Sequence, residues 1–203
     1  MKRSGSELQR LVSDAAWALR KGLGPRDLIP MLERVLSRAG AGSAPARFAQ
    51  QHLARLLVEG APWRAARLAL DLLRYEEDAD TWAVLGLAHT LLGNYRCARK
   101  AYYRALALSP GCPAYSHNLG HLLDVALGRP EAALIHLDRA HRSLPDEPEI
   151  ASSYAHALLR VGQPERAARL LTRALDGNRR AADRVLANWR RAILAGQAGS
   201  TPV

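Results

Sequence analysis

The stretch WAVLGLAHTLLGNYRCARKAYYRALALSP, residues 82–110, decides the fold. Its apolar residues recur at spacings of three and four on both sides of Gly93, so it reads as two amphipathic helices joined by a tight turn. Two near copies follow it. Trp82, Leu85, Gly86 and His89, then Ala98, Tyr102, Ala105 and Pro110, align with Ser116, Leu119, Gly120 and Leu123, then Ala133, Leu137, Ala140 and Pro145. A third set runs Ala151, Tyr154, Ala155 and Leu158, then Ala167, Leu171 and Ala174. From Leu85 to Leu119 is 34 residues and from Leu119 to Tyr154 is 35, the additional residue being expected in the loop near Leu127. Self-similarity at one period marks an array in which each unit buries its apolar face against its neighbours.

Each shared position has a physical reason. Gly86, Gly120 and Ala155 are small in mid-helix, where glycine costs about 1 kcal/mol against alanine and needs a packing reason. Close approach of the partner helix supplies it: Ala98, Ala133 and Ala167 are expected to receive that approach, and Tyr102, Leu137 and Leu171 to fill the space between units. Gly93, Gly128 and Gly162 mark the turn within each pair, and Pro110 and Pro145 close the second helix of theirs.

The pattern Trp82-x2-Leu85-Gly86-x2-His89, Ala98-x3-Tyr102, Pro110 resembles the tetratricopeptide repeat, with His89 where that family usually has tyrosine. The resemblance covers units at 79–112, 113–147 and 148–179, with a degenerate unit at 45–78 that keeps Leu53, Ala54, Leu57, Ala66, Leu70 and Leu73. Residues 1–44 are expected to form an N-terminal helical hairpin, 180–195 a capping helix, and 196–203 a disordered tail. The expected fold is all-α, a right-handed α-solenoid of tetratricopeptide hairpins with an N-terminal helical pair and a C-terminal capping helix.

Composition fits that class. The 203 residues carry a net charge of +10, mostly as arginine, among many helix-forming alanines and leucines. No run approaches a membrane span and the first ten residues, MKRSGSELQR, have no apolar leader core, so a soluble, cytoplasmic, bacterial-type protein is expected. Cys97 and Cys112 lack the count and spacing of a disulfide framework or zinc site. There is no phosphate-cradling glycine loop, no HExxH and no nucleophile elbow, so neither an enzymatic activity nor a cofactor is expected.

By resemblance, the first helix of every unit lines a concave groove, which places Ala83, Leu87 and Thr90, then His117, His121 and Asp124, then Ser152, His156 and Arg160 toward a bound segment. Tetratricopeptide proteins are generally adaptors. The lysine, asparagine and arginine set that clamps chaperone tails in one subclass is missing here. His117, His121 and Asp124 share a helical face with two-histidine, one-carboxylate spacing, a weak candidate for Zn²⁺ or Ni²⁺ beside the plainer role of peptide contact. From Arg160 to Arg191 nine arginines face only Glu165, Asp176 and Asp183, and Arg180, Arg184, Arg190 and Arg191 form a basic face. The expected partner is another protein, through an acidic or helical segment. The alternatives are a nucleic-acid-associated protein using the basic face, and a tetratricopeptide secretion chaperone.

Overall fold

The computed structural model describes the backbone of residues 2–198 and the side chains of residues 6–195. Every regular element among them is helical. They divide into two compact units, Met1–Leu108 and Ser109–Val203. The first holds three hairpins: α1 (Lys2–Arg20) with α2 (Pro25–Arg38), α3 (Ala44–Leu57) with α4 (Pro62–Leu73), and α5 (Ala79–Leu91) with α6 (Tyr95–Leu108). The second holds α7 (Pro113–His121) with α8 (Pro130–Ser143), α9 (Pro148–Arg160) with α10 (Pro164–Ala174), and a final helix α11 (Arg179–Ala198). Proline opens six of these helices, where its missing N–H and fixed φ are tolerated. No helix among the described residues is long and apolar enough to cross a membrane.

The core of the first unit is one cluster that runs from Ala15 and Ala18 of α1 through Leu32, Val35, Ala49, Leu53 and Ala69 to Leu85 and Ala101. Helix α5 is apolar on nearly all sides and is held on both, between α4 and α6. Asp78 caps its start, accepting from the Thr81 backbone N–H at 2.8 Å and from the Thr81 hydroxyl at 2.7 Å. The small mid-helix residues answer a close contact within each hairpin. A Cβ on Gly86 would stand 2.8 Å from Cδ1 and Cε1 of Tyr102, and one on Gly120 would stand 2.6 Å from Cγ of Leu137. At Gly86 the approaching group is therefore the Tyr102 ring rather than Ala98, and at Gly120 it is the Leu137 side chain together with the Ala133 carbonyl, 3.3 Å away. Those alanines, with Ala167, are fully buried.

The turns share one closure. Asn94 N–H donates to the His89 carbonyl at 2.8 Å, and Gln163 N–H to the Leu158 carbonyl at 2.9 Å, each across a glycine at positive φ, Gly93 at 73° and Gly162 at 77°. In the middle unit Arg129 N–H donates to the corresponding Leu123 carbonyl at 2.8 Å, one residue further along. The additional residue is taken up inside the helix and not in the loop near Leu127. Helix α7 continues as a π turn over Leu122–Ala126, closed by Leu127 N–H to the Leu122 carbonyl at 3.0 Å.

At the ends, α1 begins at Lys2 and α11 runs through to Ala198, beyond the residue 195 expected for the capping helix. A 100° step per residue places Ala182, Val185, Leu186, Trp189 and Ile193 on one side of α11, and with Ala181 these are the buried and half-buried residues among its described side chains. Of the expected tail, residues 199–203 lie outside the described residues.

Candidate functional site

In the second unit the first helices of two successive hairpins, α7 with its π turn and α9, pack side by side. The π turn carries Asp124, which is 1% exposed. A buried carboxylate is costly unless it is paired and hydrogen-bonded. Here Arg160 Nη1 donates to Asp124 Oδ1 at 2.9 Å and also to the Asp124 backbone carbonyl, and His156 Nδ1 lies 2.5 Å from Oδ2. One guanidinium thus satisfies both the side chain and a backbone carbonyl of the π turn. His156 and Arg160 are four apart on α9, so they reach the same neighbour from one face. The His156 ring in turn meets the Trp189 ring of α11 edge-on, with centroids 5.1 Å apart.

One turn earlier, His117 Nε2 lies 2.9 Å from Ser153 Oγ and His121 Nδ1 lies 3.3 Å from the same oxygen. His117 is half-buried and His121 exposed. Desolvation by the surrounding side chains lowers the pKa of both imidazoles from the ordinary value of 6.5, for His121 although part of its surface stays open to solvent. The neighbouring His121 lowers His117 further while Glu149 opposes, and for His121 Asp124 raises the value while His156 lowers it. Both are neutral near pH 7 and able to donate from one nitrogen and accept at the other. His117 and His121 thus share one hydroxyl, Ser153 Oγ, as a hydrogen-bond partner.

The structure brings together His117, His121, Asp124, His156 and Arg160. Ser152, beside them in sequence, is half-exposed. Ser153, which joins the two histidines, escaped the sequence reading because adjacent helical residues point about 100° apart and only the register between α7 and α9 selects one of the two serines. The weak metal candidate does not assemble as a ligand set. Asp124 turns to His156 and Arg160 while His117 and His121 share Ser153, and among the described residues no group of three or more His, Cys, Asp or Glu could hold a metal ion.

The expected groove residues of the first unit have a different character. Ala83 is buried at 8% exposure, Leu87 is half-buried, and the Thr90 hydroxyl donates to its own helix at the Gly86 carbonyl, 2.9 Å away. On α11, Arg180, Arg184 and Arg191 share an exposed face, Arg191 donating to Asn188 at 2.6 Å, while Arg190 lies on another side beside Asp183 and Glu165. The acidic run at 76–80 is engaged locally: Glu77 pairs with Arg104 at 2.6 Å, Asp80 with Arg55, and Asp78 caps α5.

No protein-family model matches the sequence, and no curated protein does. Solved structures do. The crystal structure of MamA is similar with a TM-score of 0.66 at 18% identity, over 83% of this chain and 96% of that one. MamA MSR-1 gives 0.64 at 22% identity, over 89% and 99%. MamA from Desulfovibrio magneticus RS-1, taken from residue 41 to its end, gives 0.71 at 16% identity, over 85% and 95%. At these identities the likeness is one of fold: an all-α chain of successive helical hairpins.

Proposed function

We propose that the hairpins are tetratricopeptide units and that the chain is a non-enzymatic adaptor, holding a segment of another protein against the face shared by α7 and α9. One observation carries this reading. On two helices whose remaining faces are largely buried and apolar, His117, His121, Ser152 and Ser153 come together on one strip, with His121 exposed and His117 and Ser152 half-exposed. Beneath them the Asp124–Arg160–His156 network fixes the strip, so its donors and acceptors are ordered before a partner arrives. Neutral imidazoles that donate and accept suit the backbone and polar side chains of a peptide.

A basic nucleic-acid face is the second reading, favoured by exposed Arg180 and Arg184, for which no acidic partner is found among the described residues. Against it, Trp189 is half-buried against His156 and is not presented for base stacking.

Site-specific photocrosslinking in nuclease-treated native lysate tests the proposal, with a photoreactive residue at position 121, at 152, or at the exposed Ile135 of α8 as control. The adaptor reading expects one protein crosslinked from 121 and 152 and not from 135. Crosslinking of that protein from 135 alone would move the site elsewhere, and loss of all capture on nuclease treatment would favour the basic face.

A further inference from the structure

The second unit has another concavity, away from the histidine strip. It is a notch of about 340 Å³ between α8, α9 and α10, lined by Arg166, Arg169 and Arg173 of α10, Tyr154 of α9, and Asp138 and His141 of α8. The three arginines stand at i, i+3 and i+7, one face of a helix. The local acids do not match them. Asp138 pairs with Arg142 at 2.8 Å, and Asp146 with Arg173 at 2.8 Å in a solvent-exposed contact. Arg166 meets only neutral oxygens, Gln163 Oε1 at 2.6 Å and the Tyr154 hydroxyl at 3.2 Å, and Arg169 has no ionic partner among the described residues. The Tyr154 hydroxyl donates a hydrogen bond to Asp138 Oδ1 at 3.1 Å, so it presents its lone pairs to Arg166 and holds that guanidinium at the notch wall. The His141 ring packs beside it, its centroid 5.8 Å from that of Tyr154.

We propose that this notch is a second partner-binding site that takes an oxyanion side chain, carboxylate or phosphoryl, from an acidic segment of a partner protein. Two uncompensated guanidiniums facing one concavity offer the forked donors that match either group. The exposed Arg173–Asp146 pair is weakly held and can be exchanged for the incoming anion. In the chain's own acidic run at 76–80, Glu77, Asp78 and Asp80 would have to give up contacts they already make to serve as the ligand. The site is independent of the α7–α9 strip and stands or falls separately from it.

The test is fluorescence anisotropy with the full chain and three labelled probes: an oligoglutamate peptide, a phosphoserine peptide of equal length, and a single-stranded oligonucleotide. The notch variant is Arg166→Ala with Arg169→Glu. The controls are Arg180→Ala, Arg184→Ala and Arg191→Ala together, and His121→Glu alone, with circular dichroism confirming the fold of each. The proposal expects one or both peptides to bind, the tighter naming the source of the oxyanion, with affinity reduced about tenfold or more in the notch variant and nearly unchanged in both controls. It is overturned if neither peptide binds, if the α11 variant weakens binding as much as the notch variant, or if the oligonucleotide is the ligand that the notch variant loses.

Discussion

Asp124 and Arg160 lie 36 positions apart in sequence and meet at 2.9 Å, with the carboxylate almost wholly buried. The π turn gives this contact its setting. One inserted residue in a helix would rotate everything after it by about 100°, but a π turn takes the residue up locally. At the matching position of the unit before, Thr90 bonds to its own helix; in this unit the side chain reaches across to α9. Replacing Arg160 by Met leaves Asp124 buried beside His156 alone and should destabilise the chain by about 3 kcal/mol. Adding Asp124→Leu to that variant should restore part of the loss. A double-mutant cycle by urea unfolding checks this, and additive effects would show that the pair is not coupled.

Gly86→Ala should lower stability although alanine is the better helix former by about 1 kcal/mol, because the added methyl meets the Tyr102 ring at 2.8 Å. A net loss of about 1–3 kcal/mol is expected, relieved in part by Tyr102→Leu. Thermal melts of the single and double variants check it; a stabilised Gly86→Ala would show that the contact is soft.

Ser116 occupies the position of Trp82 in the preceding unit, and its buried hydroxyl has no hydrogen-bond partner among the described residues. Ser116→Ala removes an unsatisfied polar atom without adding volume, so it should stabilise by about 1 kcal/mol. Denaturant midpoints at equal slope measure the change, and a loss of stability would mean that the hydroxyl has found a partner in solution.

Acid should weaken the fold before its carboxylates titrate. Burial holds His52, His89, His117, His121, His136 and His141 below 6.5, helped by Arg55 beside His52, Arg139 beside His136 and Arg173 beside His141. As pH falls through 6.5 the unfolded imidazoles take protons that the folded ones refuse. Stability is therefore full above that value and declines as pH drops toward the folded values. The melting temperature should hold between about pH 8 and pH 7 and fall by about pH 5.5. A melting temperature that rises on acidification would contradict the burial of these rings.

Much of this was legible in the sequence because repetition multiplies weak signals. Gly86 alone is ambiguous, but Gly86, Gly120 and Ala155 at one period announce a close helix contact. The partner of that contact was not legible, since choosing Tyr102 over Ala98 depends on side-chain direction along the helix and not on spacing. The spacing shows that one residue is inserted but not where, because a π turn is a backbone event with no side-chain period of its own. Asp124 shows the consequence: residue type and register put it on the groove side with His117 and His121, whereas its burial and its partners depend on the neighbouring helix. The notch arginines were visible only as part of a basic tract; that Arg166 and Arg169 remain uncompensated while Arg160 and Arg173 do not is a property of the packed unit.

The claim that a protein partner is held on the α7–α9 face is tested most directly by the affinity of the crosslinked partner, once purified, for the double variant His121→Glu with Ser152→Glu. Both substitutions are at side chains outside the Asp124 network, so the melting temperature should stay within about 2 °C of the parent. The account predicts a dissociation constant raised about tenfold or more, a loss of at least about 1.4 kcal/mol. Full affinity in a variant that folds as the parent does would contradict it.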